Sequence, residues 1–234
     1  MEALKDIFKS GLLTRVFLHG PPGTGKSSWP YLYMKAERVA ITKGTTSDHL
    51  LGIFTLQDGE TIWVDGPATR AMRNGHPLVL DEIVEYSEDV EAILHAICDD
   101  PSICSLQLTN GEIIRPKKGF MVFATTNGRP DQLGEALRDR FEVCLFCKEP
   151  HPEAIKRLPP DLRSIVRQQY QKIPNVDIKV NRYSLRQCLA FPKMSTALND
   201  EDLAAWVLFG SMGKEFLSVL ASNRANPELL VEKE

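Results

Sequence analysis

Five short apolar runs recur through the first two-thirds of the chain: Arg15-Val16-Phe17-Leu18-His19, Arg38-Val39-Ala40-Ile41-Thr42, Pro77-Leu78-Val79-Leu80 leading into Asp81-Glu82, Gly119 to Thr126, and Val143-Cys144-Leu145-Phe146. Each is too short for a helix and apolar at its centre, the pattern of a strand buried on both faces. Between them lie segments of helical period. Ser27 to Ala36 predicts a helix, kinked or cut short by Pro30. Ser47 predicts the cap of a short helix over 45–52, Pro67 to Asn74 predicts a helix stopped by Gly75, and Glu88 to Asp99 puts Val90, Ile93, Leu94 and Ile97 on one side. Leu133 to Phe141 predicts one more helix. Alternating strands and helices imply an α/β fold with a parallel sheet between helical layers, an α/β/α sandwich.

Two segments depart from that alternation. Ile53 to Leu56 and Thr61 to Val64 flank Asp58-Gly59, and Ser105 to Leu108 and Glu112 to Arg115 flank Asn110-Gly111. Both read as β-hairpin inserts. After Glu149-Pro150-His151-Pro152 the strand signal stops. Helices are expected near 161–173, 184–191, 200–209 and 212–223, with Ile178 and Val180 in a charged connector and a frayed tail from Asn226. The boundaries implied are a core over 1–148 and a small all-helical domain over 149–234.

Composition narrows the class. A net charge of −3 gives no overall pull toward nucleic acid or anionic lipid. No apolar run approaches the roughly 20 residues that cross a bilayer. Residues 1–10 alternate charges with Leu4, Ile7 and Phe8, an amphipathic helix rather than a signal sequence. Five cysteines without such a signal point to reduced thiols in a cytoplasm. Cys144 and Cys147 lack a second pair for zinc and read as buried apolar residues.

The chemistry begins at Gly20-Pro21-Pro22-Gly23-Thr24-Gly25-Lys26-Ser27, a G-x-x-x-x-G-K-[ST] sequence behind a strand and before a helical segment. Such a loop turns successive N–H groups toward a nucleotide phosphate, with Lys26 for the β- and γ-phosphates, Ser27 for Mg²⁺, and the helix dipole behind them. Asp81 and Glu82 end a strand 55 positions after Lys26. Asp81 fits the metal and Glu82 the deprotonation of an attacking water. Asn127 ends the next strand, where its amide could bind a phosphate oxygen or that water; Asn127-Gly128 also suits a plain turn.

Together these residues resemble the AAA+ ATPases. Arg140 before a strand and Ser184-Leu185-Arg186 in the helical domain extend the likeness, and the two hairpins make it similar to the helix-2-insert clade. Within that clade the order of Asp48 to Gly52, Asp65-Gly66-Pro67, Leu80 to Ile83, Phe123 to Asn127 and Asp139-Arg140-Phe141 is similar to the MoxR group, including its carbon-dioxide-fixation and nitric-oxide-reductase activator branches. The likeness runs over about 12–195. Val84-Glu85-Tyr86 and Ala68 depart from the group's usual residues. The resemblance implies ATP and Mg²⁺ as cofactors, Asn127 as the first sensor, Arg186 as the second (Arg182 being the alternative), and Arg140 or Arg138 as a finger acting on a neighbouring subunit. It implies a homo-oligomeric ring, commonly hexameric, whose helical domain is a lid. Such a ring remodels or activates a client, often through a partner with a von Willebrand factor A domain. A nucleic-acid motor or loader is the alternative, resting on Arg115-Pro116-Lys117-Lys118 beside the second hairpin.

Overall fold

The computed structural model of the chain describes residues 10–32, 34–171 and 183–226. The expected N-terminal helix, the connector with Ile178, Val180 and Arg182, and all but the first residue of the tail lie outside them. The chain divides into two compact units, one formed by residues 1–20 and 26–146 and the other by 21–25 and 147–234.

The first unit is built on a five-stranded sheet of β1 (Arg15–His19), β2 (Glu37–Ala40), β5 (Pro77–Asp81), β8 (Met121–Thr126) and β9 (Val143–Phe146). Its order is β2-β5-β8-β1-β9 and every pairing is parallel. β5 and β8 are buried along their whole length, which is why they carry no polar alternation. The helices here are α1 (Ser47–Leu51), α2 (Pro67–Asn74), α3 (Glu88–Ile97) and α4 (Glu135–Arg138). Leu50, Met72, Leu94 and Leu137 from these helices meet Phe17, Leu78, Leu80 and Val122 from the strands in one core.

The two hairpins stand where the turn dipeptides place them. β3 (Gly52–Gln57) pairs antiparallel with β4 (Glu60–Asp65), and β6 (Leu106–Gln107) with β7 (Ile113–Ile114). Asp58 and Gly59 both have positive φ, 52° and 84°, as a two-residue turn matched to strand twist requires. Ile53, Phe54, Leu56 and Val64 on the first hairpin are exposed. Arg73 of α2 ties the pair together: it donates to Asp65 at 2.7 Å and, through both terminal nitrogens, to Glu112 at 2.6 and 2.5 Å.

Several elements differ from expectation. Among the described residues of 27–36 no α-helix forms; two 3₁₀ turns stand after the phosphate loop, Lys26–Ser28 and Pro30–Leu32. Pro30 has no N–H to offer Lys26, so the helix cannot pass it. Trp29 between the turns is buried edge-on against Phe123. The cap of α1 is Thr46, not Ser47; Ser47 N–H is taken by the Asp89 carboxylate at 2.7 Å. α4 is a single turn rather than a helix over 133–141. Arg140 folds back to donate to the Ala136 carbonyl at 2.7 Å, and the Arg140 N–H bonds Leu137 in a tightened i→i−3 closure. Cys144 is exposed because β9 is a sheet edge with alternating exposure, whereas Cys147 is buried.

The second unit is helical: α5 (Pro152–Lys156), α6 (Pro160–Gln171), α7 (Leu185–Leu198), α8 (Glu201–Phe209) and α9 (Gly213–Ala225). α5 occupies what reads in sequence as linker. His151 caps it, accepting from Glu153 N–H at 3.2 Å. Ser184 caps α7 in a reciprocal box with Gln187. Tyr183, Phe191, Phe209 and Phe216 form an aromatic cluster inside. The most apolar long stretch, 201–225, is broken at Gly210 (φ 59°, ψ −129°) into helices of 9 and 13 residues, each short of a bilayer span.

Candidate functional site

In a parallel sheet all strands end on the same edge, and ligands collect outside their C-terminal ends. β1 delivers Gly20 and the loop there, β5 delivers Asp81 and Glu82, and β8 delivers Thr125, Thr126 and Asn127. Because β8 lies between β5 and β1, Asn127 falls between the acids and the loop.

The loop has the backbone its glycines permit. Gly23 and Gly25 adopt φ of 80° and 84°, which side chains with a Cβ rarely accept. The Thr24 hydroxyl donates to the Pro21 carbonyl at 3.1 Å. Lys26 is 6 % exposed, and its ammonium donates to the Gly20 carbonyl at 2.9 Å and to Asn127 Oδ1 at 2.8 Å.

The acids are held differently. Asp81 Oδ1 accepts from the Ser27 hydroxyl and from Thr125 Oγ1 at 2.5 Å, and Oδ2 accepts from Arg38 Nη2. Burial alone would raise the Asp81 carboxyl; bonds from Ser27, Thr125 and Arg38 outweigh it and hold the group below its usual range. Glu82 sits at φ 59°, a left-handed conformation that costs a non-glycine residue of order 1–3 kcal/mol. The surroundings hold it there: its N–H faces Thr125 Oγ1 at 3.4 Å, its Oε2 accepts Asn127 N–H at 3.1 Å, and its Oε1 accepts Asn127 Nδ2. The turn aims Glu82 back across β8 rather than onward from β5. Asn127 thus bridges Lys26 and Glu82, donating to the carboxylate and accepting from the ammonium. His19, at the end of β1, has its ring pushed below the usual histidine value by burial and then by the Lys26 charge.

Ser27 and Asp81 present only oxygen donors, the type a hard divalent cation takes. Among the described residues no cluster of three or more His, Cys, Asp or Glu could hold a metal alone. A cation at Ser27 and Asp81 would complete its shell with water and phosphate oxygens, as Mg²⁺ characteristically does.

The structure therefore brings Gly20, Lys26, Ser27, Asp81, Glu82 and Asn127 together. It does not bring Arg140 to them. Arg140 precedes β9, whose Val143 pairs with Val16 near the start of β1, so it lies at the opposite edge of the sheet; there it bonds Ala136 and faces Asp99 at 3.9 Å. Arg138 is half-buried at the end of α4, and Arg186 stands exposed in the first turn of α7. Arg38 and Thr125 are the residues that sequence reasoning missed. β2–β5 pairing could have flagged Arg38 as a charge inside a strand two places before the register partner of Asp81.

A family model for the AAA domain (dynein-related subfamily) matches residues 15–141, more than half of the chain. Among curated proteins, NorQ of Paracoccus denitrificans is 40 % identical over 118 residues, covering 48 % of this chain and 43 % of its own. The denitrification regulatory protein NirQ of Stutzerimonas stutzeri is 31 % identical over 149 residues (59 % and 53 %), and CbbQ of Hydrogenophilus thermoluteolus 32 % over 127 (51 % and 47 %). The chain spans about half the length of these relatives. Among solved structures, the Thermotoga maritima RuvB Holliday junction branch migration motor aligns over 93 % of this chain and 65 % of its own, at 19 % identity and a TM-score of 0.46, too low to add to what the sheet order already gives. The phosphate loop, the acids ending β5, the asparagine after β8 and the family match agree: the chain belongs to the AAA domain family, dynein-related subfamily.

Proposed function

We propose that the protein binds ATP with Mg²⁺ at Gly20 to Ser27 and hydrolyses it, and that it does so in a ring of like subunits to remodel or activate a client protein in the cytoplasm. One observation carries the hydrolytic part: the line from Lys26 through Asn127 to Glu82, beside the Asp81–Ser27 pair, at the ends of three adjacent strands. Lys26 and the loop N–H groups would bind the phosphates. Glu82 would take the proton of the attacking water, and Asn127 would orient that water or the γ-phosphate. Mg²⁺, when bound by Ser27 and Asp81, neutralises charge on the β- and γ-phosphates. Asn127 has to exchange partners for this, because its amide holds the base and the lysine to each other.

Arg140 supports the ring. Five residues of strand separate its edge of the sheet from the loop, roughly 16 Å at 3.3 Å per residue. A guanidinium placed there serves a neighbour's phosphate rather than its own. Arg186 would act as the second sensor from the helical unit. The description of NirQ as a denitrification regulatory protein supports an activator role, and the exposed Ile53, Phe54, Leu56 and Val64 supply a surface for a client or a von Willebrand factor A partner. The exposed Arg115, Lys117 and Lys118 favour the second reading, a nucleic-acid motor.

Phosphate release measured with and without DNA, in wild type and Glu82→Gln, tests both. Mg²⁺-dependent turnover lost in Glu82→Gln and indifferent to DNA supports the proposal. Strong salt-sensitive stimulation by DNA transfers it to the second reading, and turnover unchanged in Glu82→Gln removes Glu82 as the base. Affinity capture with Glu82→Gln in ATP then identifies the client.

A further inference from the structure

Asp81 has two carboxylate oxygens with different partners. Oδ1 is held by two hydroxyls, Ser27 and Thr125. That side is ready for a metal, since the Ser27 oxygen donates its proton to Oδ1 and keeps its lone pairs free. Oδ2 is held by the Arg38 guanidinium. A cation therefore already sits on the oxygen left over for a metal-bound water. The pair is unequal in burial, the Asp81 side chain being 11 % exposed and that of Arg38 54 %. Asp81 is fixed by its neighbours, whereas Arg38 reaches in from β2 and can swing into solvent without opening the core. Among the described residues no second carboxylate bonds it: Glu37, the adjacent acid, is taken by Arg70 at 3.0 Å.

We propose that Arg38 is a built-in competitor of Mg²⁺ for Asp81: it holds Oδ2, the oxygen that a metal-bound water would take, so that a metal beside Oδ1 and Ser27 binds at full strength only as the guanidinium leaves. This rests on the reading of Ser27 and Asp81 as the metal-binding pair. Its consequence is a site that stays neutral and ordered when empty, Asp81 never facing Ser27 and Thr125 as an uncompensated buried charge. The cost is weaker metal binding than the same oxygens would give alone. Two cations cannot share one carboxylate without repulsion, and a single unit-charge pair at contact distance in water is worth about five- to tenfold in affinity.

The test is Mn²⁺ titration of the full chain with ADP, followed by the paramagnetic resonance of free Mn²⁺, together with ADP affinity in EDTA. Arg38→Gln is expected to tighten Mn²⁺ binding about five- to tenfold and leave metal-free ADP affinity unchanged. Arg38→Lys, which keeps the charge without the planar fork, is expected to fall between. Lys43→Gln removes an exposed cation just beyond β2 that makes no bond to Asp81, and should change Mn²⁺ binding less than twofold. Unchanged or weaker Mn²⁺ binding in Arg38→Gln overturns the inference, as does equal tightening in Lys43→Gln. If wild type binds no ADP with or without metal, the nucleotide-site reading itself fails and takes the inference with it; ADP binding with Mn²⁺ affinity indifferent to Arg38 overturns the inference alone.

Discussion

Replacing Asn127 by alanine isolates the bridge between Lys26 and Glu82. The backbone N–H of residue 127 still reaches Glu82 Oε2, so the turn after β8 keeps its main-chain anchor. Two side-chain bonds disappear, one from Lys26 at 2.8 Å and one to Glu82 Oε1. They are not equal. Glu82 is half-exposed, and water can replace the amide at little cost. Lys26 is 6 % exposed, and losing an acceptor for a buried ammonium costs about 1.5–3 kcal/mol. Because Lys26 keeps the Gly20 carbonyl, about 2 kcal/mol is the expected loss. For a chain of this length that lowers the apo Tm by about 4–8 °C in a thermal melt. Nucleotide should erase most of the deficit, since phosphate gives Lys26 the partner that alanine removed. The refuting result is a deficit equally large with saturating ADP, or none in its absence; either would mean that Lys26 does not depend on Asn127.

Glu82→Gln should retain nucleotide binding and lose turnover by about 10²–10⁴, the usual contribution of a general base, measured by phosphate release. Arg140→Ala should bind nucleotide normally and turn over about 10³-fold more slowly; mixing it with Glu82→Gln should restore part of the activity if the arginine acts on its neighbour's site, and no recovery would argue against action between subunits. His19 has its folded pKa lowered by burial and by Lys26, so below about pH 6.5 the unfolded chain binds a proton that the folded chain resists. Stability should fall as pH drops from 7 to 5, and His19→Gln should flatten that part of the urea-denaturation profile. Gly75→Ala would place a Cβ 2.3 Å from the Lys118 carbonyl at φ 64°, and a Tm loss under 2 °C would contradict the close approach.

Elements that depend on local chemistry were legible. β1, β5 and α2 occupy the residues that their apolar runs and Gly75 imply, and both hairpins turn at their Asp-Gly and Asn-Gly pairs. The failures lie where a distant partner decides. One is local all the same: residues 135–141 carry a good helical period, yet the Arg140 guanidinium takes the Ala136 carbonyl and the helix closes after one turn. Leu189 to Leu198 continue α7 past an internal Pro192, where the proline rule predicts an end, because Phe191 is buried against Phe209 and Phe216.

The site divides along the same line. Lys26, Ser27, Asp81 and Asn127 follow from sequence because each ends or follows a strand of known polarity, and parallel strands put their ends on one edge whatever their order. Which groups then touch is set by that order. Placing β8 between β5 and β1 is what lets Thr125 reach Asp81 and Asn127 reach both Glu82 and Lys26. Pairing β2 with β5 is what delivers Arg38. The left-handed turn at Glu82 has no local signal either, since Glu82-Ile83 is not a turn dipeptide. It exists because Thr125 of β8 and Asn127 just after it supply enough bonds to hold a strained residue, so the geometry of Glu82 is set by residues 43 to 45 positions away from it. Changing Thr125 to valine, which keeps the shape and removes the hydroxyl, should therefore loosen Asp81 and Glu82 together, lowering Mn²⁺ affinity and turnover in the same variant while Arg38→Gln moves Mn²⁺ affinity the other way.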